Sequence, residues 1–200
     1  MPDRDLRRLA NVFVTNTVSL ETEFLEAGAL QARAFAVISL YAAWEEYSRR
    51  LVYSSAYALP RAGSGLSRTI ARAPGVSNIL DLEQRLRKWK RLQPQYRLIV
   101  HLGAPSQMVR ACQFLALSNE QIISPAILSQ NSPADRLRLV RNFLAHQNPD
   151  TASQVAMGPL QPRVNLRSVM GWLGEKQPGG RTRFGVWASD LGDVARTCAG

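Results

Sequence analysis

The sequence predicts an all-α fold, and three observations carry that prediction. Apolar residues recur at helical spacing through one segment after another. Glycine, proline and capping residues punctuate those segments, and one helix is apolar nearly all round, as the central helix of a bundle must be. No internal repeat, heptad array or low-complexity linker interrupts the pattern.

Residues 4–27 read as the first helix, with Leu6, Leu9, Phe13, Leu20 and Phe24 at helical spacing and Gly28 ending it. Thr15, Thr17 and Val18 lower its propensity midway, which leaves room for a bend. Residues 29–58 form a longer helix, apolar nearly all round up to Trp44 and stopped by Pro60, and this is the expected centre of the bundle. Residues 61–77, rich in Gly, Ser and Pro, read as a loop without a phosphate-binding fingerprint. Helix resumes over 78–92, where Ile79, Leu82, Leu86, Trp89 and Leu92 form one stripe, and continues briefly after Pro94 through Tyr96 and Ile99 to Gly103. Two short helices follow at 105–117 and 118–129, and a further helix runs between Ser132 and Pro149, with Ser132 as its cap, Pro133 at the first helical position and Asp135 completing a box with Ser132. Residues 150–157 add a turn, and Met157-Gly158-Pro159 breaks the chain. Residues 163–173 are helical around Leu166, Val169, Met170, Trp172 and Leu173, with Gly174 as the cap. Gln177-Pro178-Gly179-Gly180 is a turn, and 185–197 finish as a short helix or an irregular tail. Residues 1–157 are therefore expected as a helical bundle, with 158–200 as a C-terminal extension packed on the same domain.

Two hundred residues at 46% hydrophobic and 20% charged are enough for one domain with a proper core. The net charge of +10 is the unusual feature, and Lys88, Lys90 and Lys176 are the only lysines among 25 basic residues. Arginine forks match phosphate oxygens, so an anionic partner such as nucleic acid is favoured. The other reading is an arginine-rich codon bias that leaves a solvated basic surface. Cys112 and Cys198 stand far apart without a CxxC pair, and only two histidines exist. A structural zinc site and a disulfide scaffold are therefore not expected, and no cofactor is implied. The beginning of the chain lacks an apolar signal region, and the run from Ala34 to Trp44 is too short to span a bilayer. A cytoplasmic protein without membrane association is expected.

The helix before Pro149 carries the chemistry. At 100° per residue with Arg141 at zero, Leu137, Val140, Phe143 and Leu144 fall between about 200° and 320°. Arg138, Arg141, Asn142, Ala145 and His146 fall between about 0° and 140°. One face packs, and the other presents a guanidinium, an amide and an imidazole separated only by the small Ala145. Arg141 and His146 are too far round the helix to touch, but both side chains can converge on a ligand lying across that face. Their more ordinary role is a surface arginine and a histidine stabilised by the helix C-terminus.

Arg141-Asn142-Phe143-Leu144-Ala145-His146 resembles the Arg-x4-6-His motif of the HEPN family, named for higher-eukaryote and prokaryote nucleotide binding. The polar residue directly after the arginine, the amphipathic helix and its place late in a helical chain match as well. His101 has no such partner, because Arg97 is one residue too close. The resemblance implies a HEPN-like helical bundle whose homodimer brings two Arg–His pairs into one cleft. It further implies RNA cleavage by 2′-hydroxyl attack, leaving a 2′,3′-cyclic phosphate and a 5′-hydroxyl without a metal. His146 would act on the 2′-hydroxyl or the leaving oxygen, Arg141 would hold the scissile phosphate, Asn142 would orient one of them, and Arg138 would be a flanking phosphate contact. Toxin–antitoxin or anti-phage defence is the setting the family suggests, with an antitoxin or sensor protein as restraining partner.

Elsewhere, Arg85, Lys88 and Arg91 lie on a basic helical face suited to flanking phosphates, or to a plain solvated surface. Trp89, in the apolar stripe, reads as core rather than as a stacking platform. Glu45 and Glu46 either pair with Arg49 and Arg50 or reach the motif and orient Arg141 or His146. Tyr41-Ala42-Ala43-Trp44-Glu45-Glu46-Tyr47 looks like the second helix of some HEPN families. A non-catalytic RNA- or nucleotide-binding or docking subunit, and a plain helical scaffold, are the competing classes.

Overall fold

Helix α1 (Leu6–Glu26) runs without a break through its threonines, and Thr17 and Thr22 donate their hydroxyls to the carbonyls of Val14 and Val18 within it. The computed structural model describes residues 6–57, 73–91, 102–128, 133–156 and 164–200, with the side chains of Tyr57, Lys90 and Arg91 outside the description. The described residues are all-α, and their sole strand-like feature is an isolated bridge between Lys176 and Thr182. After α1 come α2 (Leu30–Tyr57), α3 (Ile79–Arg91), α4 (Pro105–Phe114), α5 (Glu120–Leu128), α6 (Ala134–His146), α7 (Pro149–Ala156), α8 (Leu166–Gly174) and α9 (Arg183–Ala199). Among the described residues no helix is long and apolar enough to cross a membrane. The segments expected at 96–103 and 61–72 lie outside the described residues, apart from 102 and 103.

The chain forms two units. Unit 1 comprises residues 1–11, 45–129 and 196–200, and unit 2 comprises 12–44 and 130–195. Residues 164–195, read from sequence as part of an extension, thus belong with 130–156 and with 12–44.

In unit 1, Leu82, Leu86 and Trp89 turn the apolar stripe of α3 inward, and Met108, Cys112, Ile123 and Ile127 are buried from α4 and α5. Helix α3 starts at Asn78, whose side-chain carbonyl accepts from the amides of Leu80 (2.8 Å) and Asp81 (3.0 Å). Asn119 donates to the Ser55 hydroxyl at 2.8 Å and so ties the start of α5 to α2.

In unit 2, Val37, Leu40 and Trp44 are completely buried, but Phe35 is 65% exposed, so the first half of α2 is covered along one side and not all round as its apolarity suggested. Phe13 meets Trp44 with ring centroids 5.8 Å apart, and Phe24 stacks on Phe184 at 4.4 Å. Helix α8 begins with a full capping box between Asn165 and Ser168, and its Trp172 meets Trp187 of α9 edge-on at 5.3 Å. The last helix is a regular one from Arg183 to Ala199, where the sequence suggested a short helix or a tail. Its two internal glycines are places of close packing. A Cβ at Gly185 would collide with the Glu21 carboxylate, and one at Gly192 would touch Val14 at 3.4 Å. Helix propensity lost at these positions is offset by the approach of α1.

Candidate functional site

Helix α6 places the motif. Leu137, Val140, Phe143 and Leu144 are buried, which anchors the arc opposite the polar one. Its start differs from the sequence reading. Pro133 is the residue before the first helical one and no side chain caps the helix; Ser132 lies outside the described residues. Asp135 instead pairs with Arg138 at 3.3 Å. The other end is sharp: Gln147 adopts a left-handed conformation (φ 46°) and donates its amide to the Phe143 carbonyl at 2.7 Å. Asn148 then turns the chain into α7, its side-chain carbonyl accepting from the Thr151 amide at 2.9 Å. His146 is consequently the last residue of α6 and is exposed, at the end of the helix where the carbonyls lack intrahelical partners.

Arg141, one and a half turns earlier, is only half-exposed. Its Nη1 donates to Asn142 Oδ1 at 3.2 Å, and its Cζ lies over the Tyr41 ring, 6.0 Å from the centroid. Tyr41 is buried, so the ring under the guanidinium is a fixed surface. A guanidinium held on one side by an amide and a ring keeps further N–H donors for an incoming anion. Sequence reading placed Tyr41 in an aromatic helical phrase but did not connect it to Arg141. The signal available was its place in the apolar stripe Val37, Leu40, Tyr41 and Trp44 of α2, the side that the helix buries.

The other predicted residues are placed as follows. Arg138 is on the same arc of α6 and engaged by Asp135. Arg85 and Lys88 are on α3 in unit 1, Arg85 half-buried with its Nη1 donating to the Pro74 carbonyl at 2.5 Å and Lys88 exposed. Arg91 ends α3, and its side chain lies outside the described residues. Trp89 is buried, as expected of a core residue. Glu45 and Glu46 are half-buried in unit 1, whereas Arg141, Asn142 and His146 belong to unit 2. Glu46 accepts from both Arg49 and Arg50 of its own helix. Burial pushes its carboxyl up, but these two guanidinia outweigh that and hold it below its ordinary value. No group of three His, Cys, Asp or Glu among the described residues could hold a metal ion.

Comparison with family models, curated proteins and solved structures returns no significant match.

Proposed function

We propose that this chain is a metal-independent endoribonuclease of HEPN type that works in the cytoplasm as a homodimer. One observation carries the reading: an exposed histidine closes the same helical arc on which an arginine is pinned by an amide and a tyrosine ring. Histidine titrates near neutrality and serves as base or acid, and arginine stays charged and grips phosphate bidentately.

RNA supplies its own nucleophile. In the proposed reaction the 2′-hydroxyl gives its proton to His146 and its oxygen attacks the adjacent phosphorus. Arg141 takes up the charge that gathers on the phosphorane oxygens. The bond to the 5′-oxygen then breaks, that oxygen receives a proton, and the products are a 2′,3′-cyclic phosphate and a 5′-hydroxyl. One imidazole cannot be charged and neutral at once, so the second proton transfer falls to the His146 of a second copy. A two-fold dimer supplies it. Asn142 holds Arg141 in register, and Arg138 steers a neighbouring phosphate. Within the same proposal the protein is a toxin or effector of a prokaryotic toxin–antitoxin or anti-phage defence system, restrained by an antitoxin or sensor protein.

The test is incubation of purified protein with end-labelled RNA in chelator, beside His146→Ala and Arg141→Ala. Cleavage that disappears in both variants supports the proposal. RNA binding without turnover supports a non-catalytic binding or docking subunit, and neither binding nor cleavage supports a scaffold.

A further inference from the structure

We propose that the α3–α4 surface of unit 1 binds single-stranded RNA, with the Phe114 ring as a platform for an unstacked base. Phe114 is 41% exposed at the last position of α4, although phenylalanine is ordinarily covered. Its ring is not loose: it leans on Trp89 with centroids 6.0 Å apart and planes 32° from parallel. Trp89 is itself only 7% exposed, so the pair offers one held aromatic face.

Basic residues share the helical arcs of both rings, and the one acidic residue on that flank of α3, Asp81, is held by Ser77 and Asn78 at the helix start. At 100° per residue, Arg85 falls about 40° and Lys88 about 100° round α3 from Trp89, whereas Arg87 falls about 160° away. Arg87 lies near Glu83 (3.7 Å), on the far flank. Arg85 is fixed beside the surface by its bond to the Pro74 carbonyl, which Gly75 (φ +70°) allows by having no side chain in the way. On α4, Gln107 and Arg110 fall within about 40° of Phe114, and the helix Pro105–Phe114 contains no acidic residue. An exposed aromatic ring bordered by basic side chains is the chemistry of a single-strand site, since stacking tolerates any base and the cations follow the backbone. A duplex keeps its bases stacked on each other and has no free face to offer.

This proposal shares with the nuclease reading only the premise that RNA is a ligand. Fluorescence anisotropy with a labelled, unstructured RNA of about 12 nucleotides tests it, in a His146→Ala background that keeps the RNA intact. Phe114→Ala is expected to weaken binding about tenfold and Phe114→Trp to restore it. Phe114→Leu, which still covers Trp89 but has no π-face, should show the same loss, which separates stacking from misfolding. Lys88→Ala with Arg110→Ala should flatten the slope of log affinity against log salt by about 1.4. A hairpin duplex of equal charge should bind without regard to Phe114. Unchanged single-strand affinity in Phe114→Ala and Phe114→Leu, an equal loss for the duplex, or no RNA binding by the parent overturns the proposal. RNA cleavage by a chain whose Phe114→Ala form binds normally overturns this proposal alone, and Phe114-dependent binding without cleavage overturns the nuclease reading alone.

Discussion

The Arg141 guanidinium lies over the buried Tyr41 ring, its Cζ 6.0 Å from the centroid, and Asn142 accepts a hydrogen bond from the same group at 3.2 Å. The first half of α2 thereby sets where the charge on α6 is presented. On the proposed function, Tyr41→Phe keeps the ring face and leaves RNA cleavage close to that of the parent. Tyr41→Leu removes it and lowers the cleavage rate about fivefold, the equivalent of about 1 kcal/mol. Rates from denaturing gels, with thermal melts to confirm folding, check this; equal rates for the two variants would remove Tyr41 from the account.

Glu21 and Gly185 give a second coupled pair. Arg181 holds the Glu21 carboxylate against α9 at the place where a Gly185 side chain would stand. In the parent, Gly185→Ala must displace that carboxylate, and the gain in helix propensity is cancelled. In a Glu21→Ala background the same substitution is expected to stabilise by about 0.5–1 kcal/mol. Denaturant melts of the four proteins measure the coupling; additive effects would show that Glu21 does not occupy the space.

This pair also shows why the last helix was hard to read. Gly185 and Gly192 weaken any local expectation of a helix over 185–197, and only the approach of Glu21, Val14 and Thr17 explains them. The motif helix was legible for the opposite reason. Leu137, Val140, Phe143 and Leu144 alternate with polar residues at helical spacing, so the wheel alone sorts buried from exposed. The contact of Arg141 with Tyr41 was not legible, because it joins residues a hundred positions apart. The Asn165–Ser168 cap carries a short polar pair rather than the Ser/Thr…Glu/Gln form, and gave a weaker signal.

Asp190 makes stability depend on pH. Burial raises its carboxyl above the ordinary value and the Asp193 charge adds to that, with Arg181 opposing. In that window the folded chain binds more protons than the unfolded one, so this group's contribution falls as pH rises from the ordinary carboxylate value through the raised one. Asp190→Asn should therefore raise the melting temperature by about 1–2 °C near neutrality, with the difference vanishing at about pH 3.5. A constant difference across that range would contradict the assignment.

Cys112 and Cys198 are both buried, and burial pushes each thiol up to about 12. At about pH 8 each is then about 0.01% thiolate, too little for rapid attack on a disulfide reagent. Native protein is expected to release almost no chromophore from an aromatic disulfide probe within minutes, and denatured protein to release the equivalent of both thiols. Fast reaction of a native thiol would place one of them at the surface.

In the proposed reaction Arg141 and His146 cleave RNA through its own 2′-hydroxyl. Mass spectrometry of the products from a defined oligoribonucleotide tests it most directly. The fragments expected end in a 2′,3′-cyclic phosphate and begin with a 5′-hydroxyl, and they are absent with His146→Ala and absent when the scissile nucleotide is 2′-deoxy. Intact RNA with the parent protein, fragments bearing 5′-phosphate, or undiminished cleavage by His146→Ala would contradict it.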